Sequence, residues 1–164
     1  MARDRGKLGD ILTAVVARLI AQISGLNAQN CYLSIDPDSL PEPGVGEFTI
    51  VVSPASEQFQ GTYFEGGGEQ QSTTQEGIII VKLHSPVQLD EPHRDTIWLT
   101  DTTLGVCEKM RLIIKALANW SPGTSGSELT RDPFSPGGYV FTRKDRGLGG
   151  VEMTFRFMFD WDLT

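Results

Sequence analysis

A chain of 164 residues with 39% apolar and 21% charged side chains has the size and composition of one globular domain, spanning residues 1–164. At that length roughly 70% of the unfolded surface can be buried, so no disulfide or metal staple is required. The net charge of −7 excludes a generic binder of nucleic acid or of anionic membrane, since both need a positive field.

The first element is an amphipathic helix. Leu8, Ile11, Leu12, Val15, Val16, Leu19, Ile20 and Ile23 keep the spacing of one helical face. Gly25 supplies the stop. The apolar run is broken by Arg18, Gln22 and Ser24, so it reads as neither a signal peptide nor a membrane span, and synthesis in the cytosol is expected. Cys31 to Ile35 is a short strand closed by Asp36-Pro37-Asp38, and Leu40 to Gly46 is a Pro/Gly-rich connection. A second strand runs from Glu47 to Ser53. Phe48, Ile50 and Val52 share one face, and Val51 makes the run nearly continuous, which predicts burial on both sides. Pro54 is expected to limit it.

Phe59, Tyr63 and Phe64 can extend a strand, and the last two are candidate partner contacts. The tract Glu65–Glu76 follows, with three consecutive glycines and no apolar side chain. Such a tract contributes nothing to a core and is expected to be a mobile loop. It is either a tolerated surface loop or one that orders against a neighbouring subunit. Gly77 to His84 is almost continuously apolar and β-branched, so it predicts a central strand. A second helix follows, capped by Asp95 or Asp101, with Leu104, Cys107, Met110, Arg111, Ile114, Leu117 and Ala118 in phase and Leu112 and Ile113 widening the stripe.

Ser121 to Gly138 reads as an irregular insertion. Tyr139, Phe141 and Arg143 then open a hairpin whose turn is Lys144 to Gly150. In the last strand Val151, Met153, Phe155, Phe157, Phe159 and Trp161 alternate with Glu152, Thr154, Arg156, Met158 and Asp160, which predicts one buried and one wet face. The order α-β-β-β-α-β-β predicts an α+β fold, a mainly antiparallel or mixed sheet with two helices on one face.

Catalytic and ligand motifs are scarce. No phosphate-binding glycine loop carries its lysine. His84 and His93 have no ligand-type neighbour at helical spacing, so a zinc site would need distant residues; they read as a strand-end and a connector residue. The acidic pairs Asp36/Asp38, Asp90/Glu91 and Asp160/Asp162 read as solvated turns and strand ends, whereas paired catalytic carboxylates need burial or tuning by neighbours. Cys31 and Cys107 read as free, buried thiols. Arg143, Lys144 and Arg146 form a local positive cluster. That cluster is either a solubilising hairpin tip or a contact with an acidic neighbour, including another copy of this chain.

The element order, with Glu47-Phe-Thr-Ile-Val-Val-Ser-Pro54, Gly77-Ile-Ile-Ile-Val-Lys-Leu-His-Ser-Pro86 and Gly138-Tyr-Val-Phe-Thr-Arg-Lys-Asp-Arg146 at successive places, resembles the tail terminator proteins of long-tailed, lambda-like bacteriophages. The resemblance spans nearly the whole chain. The chain departs from that pattern in its longer loop 65–76 and its longer insertion 121–138. The resemblance implies a virion protein at the head–tail interface, a homo-oligomer that is most simply a hexameric ring. It implies partners in the tail tube protein and a head-closure or neck protein, with DNA passing the lumen without specific binding. It implies no catalysis, no cofactor, no metal and no membrane. A ring made by heterologous contacts can end a stack that would otherwise grow. The alternatives are another neck ring component, or a small cytosolic enzyme or binding domain.

Overall fold

The computed structural model describes residues 7–38, 48–59, 72–86, 99–100, 102, 105–144 and 148–162, with the backbone alone at 56–59, 72–75, 86, 142–144, 148 and 161–162. Among the described residues, helices α1 (Lys7–Gln22) and α2 (Val106–Leu117) accompany strands β1 (Cys31–Leu33), β2 (Thr49–Phe59), β3 (Ser72–Pro86), β4 (Gly123–Thr124), β5 (Ser127–Glu128), β6 (Ser135–Lys144) and β7 (Leu148–Asp162). Five strands form one mixed sheet in the order β1-β2-β3-β7-β6, and β4 and β5 form a small separate hairpin. β1 is parallel to β2, and every other pairing is antiparallel. The α+β expectation therefore holds.

The alternation in β7 sets the core. Val151, Met153, Phe155, Phe157 and Phe159 are all buried and share one sheet face with Ile79, Val81 and Leu83 of β3 and Ile50 and Val52 of β2. Ile11, Val15 and Leu19 of α1 and Val106, Met110, Ile113, Ala116 and Leu117 of α2 close over that face. Arg18 joins the helices: its Nε donates to the Ala116 carbonyl at 3.2 Å, and its guanidinium lies 5.4 Å from the Trp120 ring centroid. A cation at a helix C-terminus satisfies an otherwise orphaned carbonyl and complements the dipole.

Several boundaries differ from expectation. β2 continues through Pro54 to Phe59, because β1 pairs only with Ile50 to Val52. Beyond that point β2 has β3 alone as neighbour among the described residues, Pro54 stands opposite Ile79, and a bulge at Ala55 shifts the register directly after the residue that cannot donate. β3 begins at Ser72, so the C-terminal part of the polar tract is not a loop: Ser72 to Glu76 pair with Asp162 to Met158. Backbone ladder bonds need no apolar side chain, which is why composition misjudged it. The rest of that tract, 65–71, lies outside the described residues.

The buried stripe of α2 is Val106, Met110, Ile113 and Leu117, not the set containing Cys107, Arg111 and Ile114. Cys107 is exposed, against the expectation of a buried thiol. Gly105 stands at the N-cap without a side-chain hydrogen bond. Asp95 and Asp101 lie outside the described residues.

Insertion 121–138 also proves structured. Asn119 closes α2 at φ 59°, a left-handed turn that asparagine tolerates. Its N–H donates to the Phe134 carbonyl at 3.0 Å, and Phe134 N–H donates to the Trp120 carbonyl at 2.9 Å. Phe134 is thereby driven into the core, its ring centroid 5.6 Å from Trp120 edge-on and 5.0 Å from Phe157. β6 then starts at Ser135.

Candidate functional site

Parallel strands need a crossover, and the described start of the one after β1, residues 34–38, reaches the sheet face opposite the helices. Thr49, Val51 and Ser53 of β2 and Lys82 and His84 of β3 lie on that face, and all are buried. The crossover opens with two tight turns, in which Asp36 N–H donates to Ser34 Oγ and Asp38 N–H to Asp36 Oδ1. It is then pinned to β3. Lys82 Nζ donates to Asp38 Oδ1 at 2.6 Å and more weakly to Glu152 Oε2 at 3.4 Å. His84 Nε2 lies 2.9 Å from the Pro37 carbonyl. A carbonyl only accepts, so Nε2 carries the proton. The Lys82 side chain is 5% exposed, whereas those of Asp38 and Glu152 are 46% and 31% exposed. The buried member of this network is the cation.

This cluster is polar but not arranged for nucleophilic chemistry. The buried Ser53 Oγ has no hydrogen-bond partner among the described residues. Yet His84 stands opposite Thr49, four residues from Ser53 along β2. That is about 13 Å of strand, far beyond the reach of a nucleophile–base hydrogen bond. Among the described residues no group of three or more His, Cys, Asp or Glu is placed to hold a metal. No helix of the described residues is long and apolar enough to cross a membrane. Burial pushes the Cys31 thiol up to about 12, where a cysteine is inert.

The second feature is the sheet's β6 edge. Tyr139, Val140 and Phe141 are 59%, 62% and 44% exposed, and the Tyr139 and Phe141 rings meet edge-to-face at 5.6 Å. Tyr139 and Phe141 stand opposite Met153 and Val151, so they point to the helix-bearing face. α1 packs on β1 and β2, at the other side of the sheet, and leaves these rings open. A ten-residue edge strand offers a row of backbone donors and acceptors to any strand that arrives.

Of the five candidate contact residues, Arg143 and Lys144 are the last two residues of β6, opposite Gly149 and Leu148. They extend the aromatic edge. Arg146, Tyr63 and Phe64 lie outside the described residues, as does His93. Sequence reasoning placed Tyr139 and Phe141 in a hairpin strand but not in an exposed patch. The available signal was Val140 between them: apolar side chains on both faces of one strand, directly after Pro136-Gly137-Gly138, in a chain whose helices are spent elsewhere. The acidities of Glu108 and Glu128 are shifted locally and away from this edge: the Arg111 hydrogen bond lowers Glu108, and the Gly126 N–H lowers Glu128.

No family model matches the chain, and no curated protein matches it. Solved structures do align with the chain, and one of them covers 93% of this chain and 94% of its own, with a TM-score of 0.47 and 16% identity. A likeness at that level carries no argument about function.

Proposed function

We propose that this protein is a structural subunit of a bacteriophage virion: a tail terminator that forms a ring, of six copies in its simplest form, on the end of the tail tube. The ring ends tube growth and offers a surface to the head-closure or neck protein. The observation that carries this reading is the exposed aromatic edge of β6, which runs into Arg143 and Lys144 on a chain of net charge −7. An isolated domain gains nothing from an open apolar edge and risks aggregation through it. A ring subunit uses such an edge as its interface. The element order of the lambda-like terminators supports the same reading. Acidic charge lets DNA pass a lumen without being held. The polar network around Lys82 serves here as a fastening for the β1–β2 crossover, and the protein needs no catalytic group or cofactor.

Light scattering coupled to gel filtration tests the reading, with purified tail tubes added. The expected result is a ring-sized mass, alone or on tubes, with tube length fixed when the protein is present during polymerisation. A protein that stays monomeric at every concentration and leaves tubes unbound overturns it. Binding to the portal side instead of the tube would identify a neck ring.

A further inference from the structure

We infer that copies join head to tail, the β6 edge of one against the β1 edge of the next, so that the five-stranded sheet continues across the junction. This rests on the self-association proposed above and specifies its interface. Five large apolar side chains are exposed among the described residues: Leu33, Ile35, Tyr139, Val140 and Phe141. They fall at the two opposite edges of the same sheet. Leu33 and Ile35 are at or just beyond the end of β1, and the other three are in β6. Scattered exposed apolar residues are normal on a soluble surface; confinement to two opposite edges is not a scattered pattern.

Three further features match the edges to each other. The first is the shared face. Leu33 pairs beside Val52, and Tyr139 and Phe141 beside Met153 and Val151, all on the helix-bearing side. In a continued sheet the aliphatic side chains of one copy would lie beside the rings of the next, a favourable cross-strand combination. The second is direction. β1 runs with β2, and the three antiparallel steps to β3, β7 and β6 leave β6 antiparallel to β1. Successive copies in the same orientation therefore meet as an antiparallel pair. The register that sets Leu33 opposite Phe141 also sets Ile35 opposite Tyr139. The third is the backbone. Ile50 N–H donates to the Asn30 carbonyl and Ser34 N–H to the Val52 carbonyl. By the two-residue alternation of a strand, the amide of Leu33, the last residue of β1, then faces away from β2.

A copy of this chain supplies both halves of the match. It also brings the acidic surface that suits the basic end of β6 at Arg143 and Lys144. A contact between two different patches is heterologous, and heterologous contacts close into rings. A β6-to-β6 contact would instead stop at a dimer.

The test is disulfide trapping in a Cys107→Ser background, which removes the exposed native thiol. Ile35→Cys and Tyr139→Cys are made in separate preparations and oxidised with glutathione disulfide, alone and mixed, after light scattering has given the mass of each. The mixture should cross-link on the order of a hundredfold faster than either alone, since neighbours in an assembly see millimolar effective concentrations. Cross-linking of Tyr139→Cys by itself at the rate of the mixture overturns the head-to-tail arrangement. A ring-sized mass with no cross-link in the mixture overturns the edge interface while leaving the ring intact. A monomer under all conditions overturns both. Independently, Val140→Asp at this exposed position should raise the concentration needed for assembly about tenfold or more, equivalent to some 1.4 kcal/mol, with an unchanged far-ultraviolet spectrum. Unaltered assembly overturns the inference.

Discussion

Gly77→Ala should be costly at a position where β-sheet propensity alone favours the change. Gly77 pairs with Phe157, and a Cβ built there would stand 2.4 Å from Phe157 Cζ, 2.5 Å from Cε2 and 3.0 Å from Cε1. The ring lies across the glycine and has little room to retreat. Phe134 and Phe159 pack on it with centroids at 5.0 and 5.6 Å, and it is 2% exposed. Overpacking of this kind costs about 1–3 kcal/mol. In a domain of this length that is a fall in Tm of roughly 2–4 °C per kcal/mol. Phe157→Ala alone should cost about 3–5 kcal/mol. Removing the ring also removes the clash. In the Phe157→Ala background, Gly77→Ala should then be neutral, or stabilising by up to about 1 kcal/mol through the lost freedom of glycine in the unfolded chain. A urea double-mutant cycle measures the difference directly. An additive cycle, with Gly77→Ala equally costly in both backgrounds, would refute the contact.

The Lys82 network predicts an asymmetry. Asp38→Ala, which leaves a buried cation with one long partner, should cost about 1–3 kcal/mol, below the usual range for a broken buried pair because Asp38 is half exposed. Lys82→Met, which leaves two carboxylates that water can reach, should cost under about 1 kcal/mol, so urea midpoints that rank them the other way would show that Asp38 does not fasten the crossover. The two cysteines should separate in a thiol-reagent assay: Cys107 reacts in the folded protein and Cys31 only on unfolding. Because burial raises the Cys31 pKa from 9.0 to about 12, its contribution to stability is complete below pH 9.0 and is lost as pH climbs towards 12. A stability curve that is flat over that window in the wild type, or equally steep in a Cys31→Ala variant, would contradict it.

The central sheet was legible because its strands follow simple periods. The β7 alternation, the continuous run in β3 and the two-sided burial of β2 each emerge in the fold as read. What was not legible depends on who the neighbours are. Pro54 looked like a stop because sequence does not reveal that β1 ends at Leu33 and leaves that stretch of β2 with one partner. Ser72 to Glu76 looked like loop because their place comes from backbone pairing, with β7 throughout and with β2 at Gln75 and Glu76. The phase of α2 was misread because Cys107 and Ile114 sit one step from the buried stripe, and a stripe widened by Leu112 and Ile113 fits either phase. Of the candidate contacts, the basic residues drew attention by charge. The apolar edge beside them did not, since exposure of Tyr139 is a property of where α1 lies and not of the strand itself.

The same geometry explains why the two faces of the sheet are closed by such different means. The helix-bearing face is covered by two amphipathic helices whose apolar stripes supply dispersion and burial without direction. The opposite face meets the start of the segment after β1, Ser34-Ile35-Asp36-Pro37-Asp38, whose one large apolar side chain, Ile35, is exposed and gives that face nothing to pack against. Such a segment must be held by directional bonds, and directional bonds need partners projecting from the sheet. Lys82 and His84 are two polar residues on the same face of β3, placed two apart, and they meet Asp38 and the Pro37 carbonyl respectively. Lys82 can sit in a run of isoleucine and valine because its long stem packs among apolar neighbours while its ammonium reaches Asp38 and Glu152. Fixing the crossover also fixes the end of β1 from which it departs, and with it Leu33 and Ile35. A loosened crossover should therefore weaken any contact made at the β1 edge before it weakens the fold, which ties the Asp38→Ala variant to assembly as well as to stability.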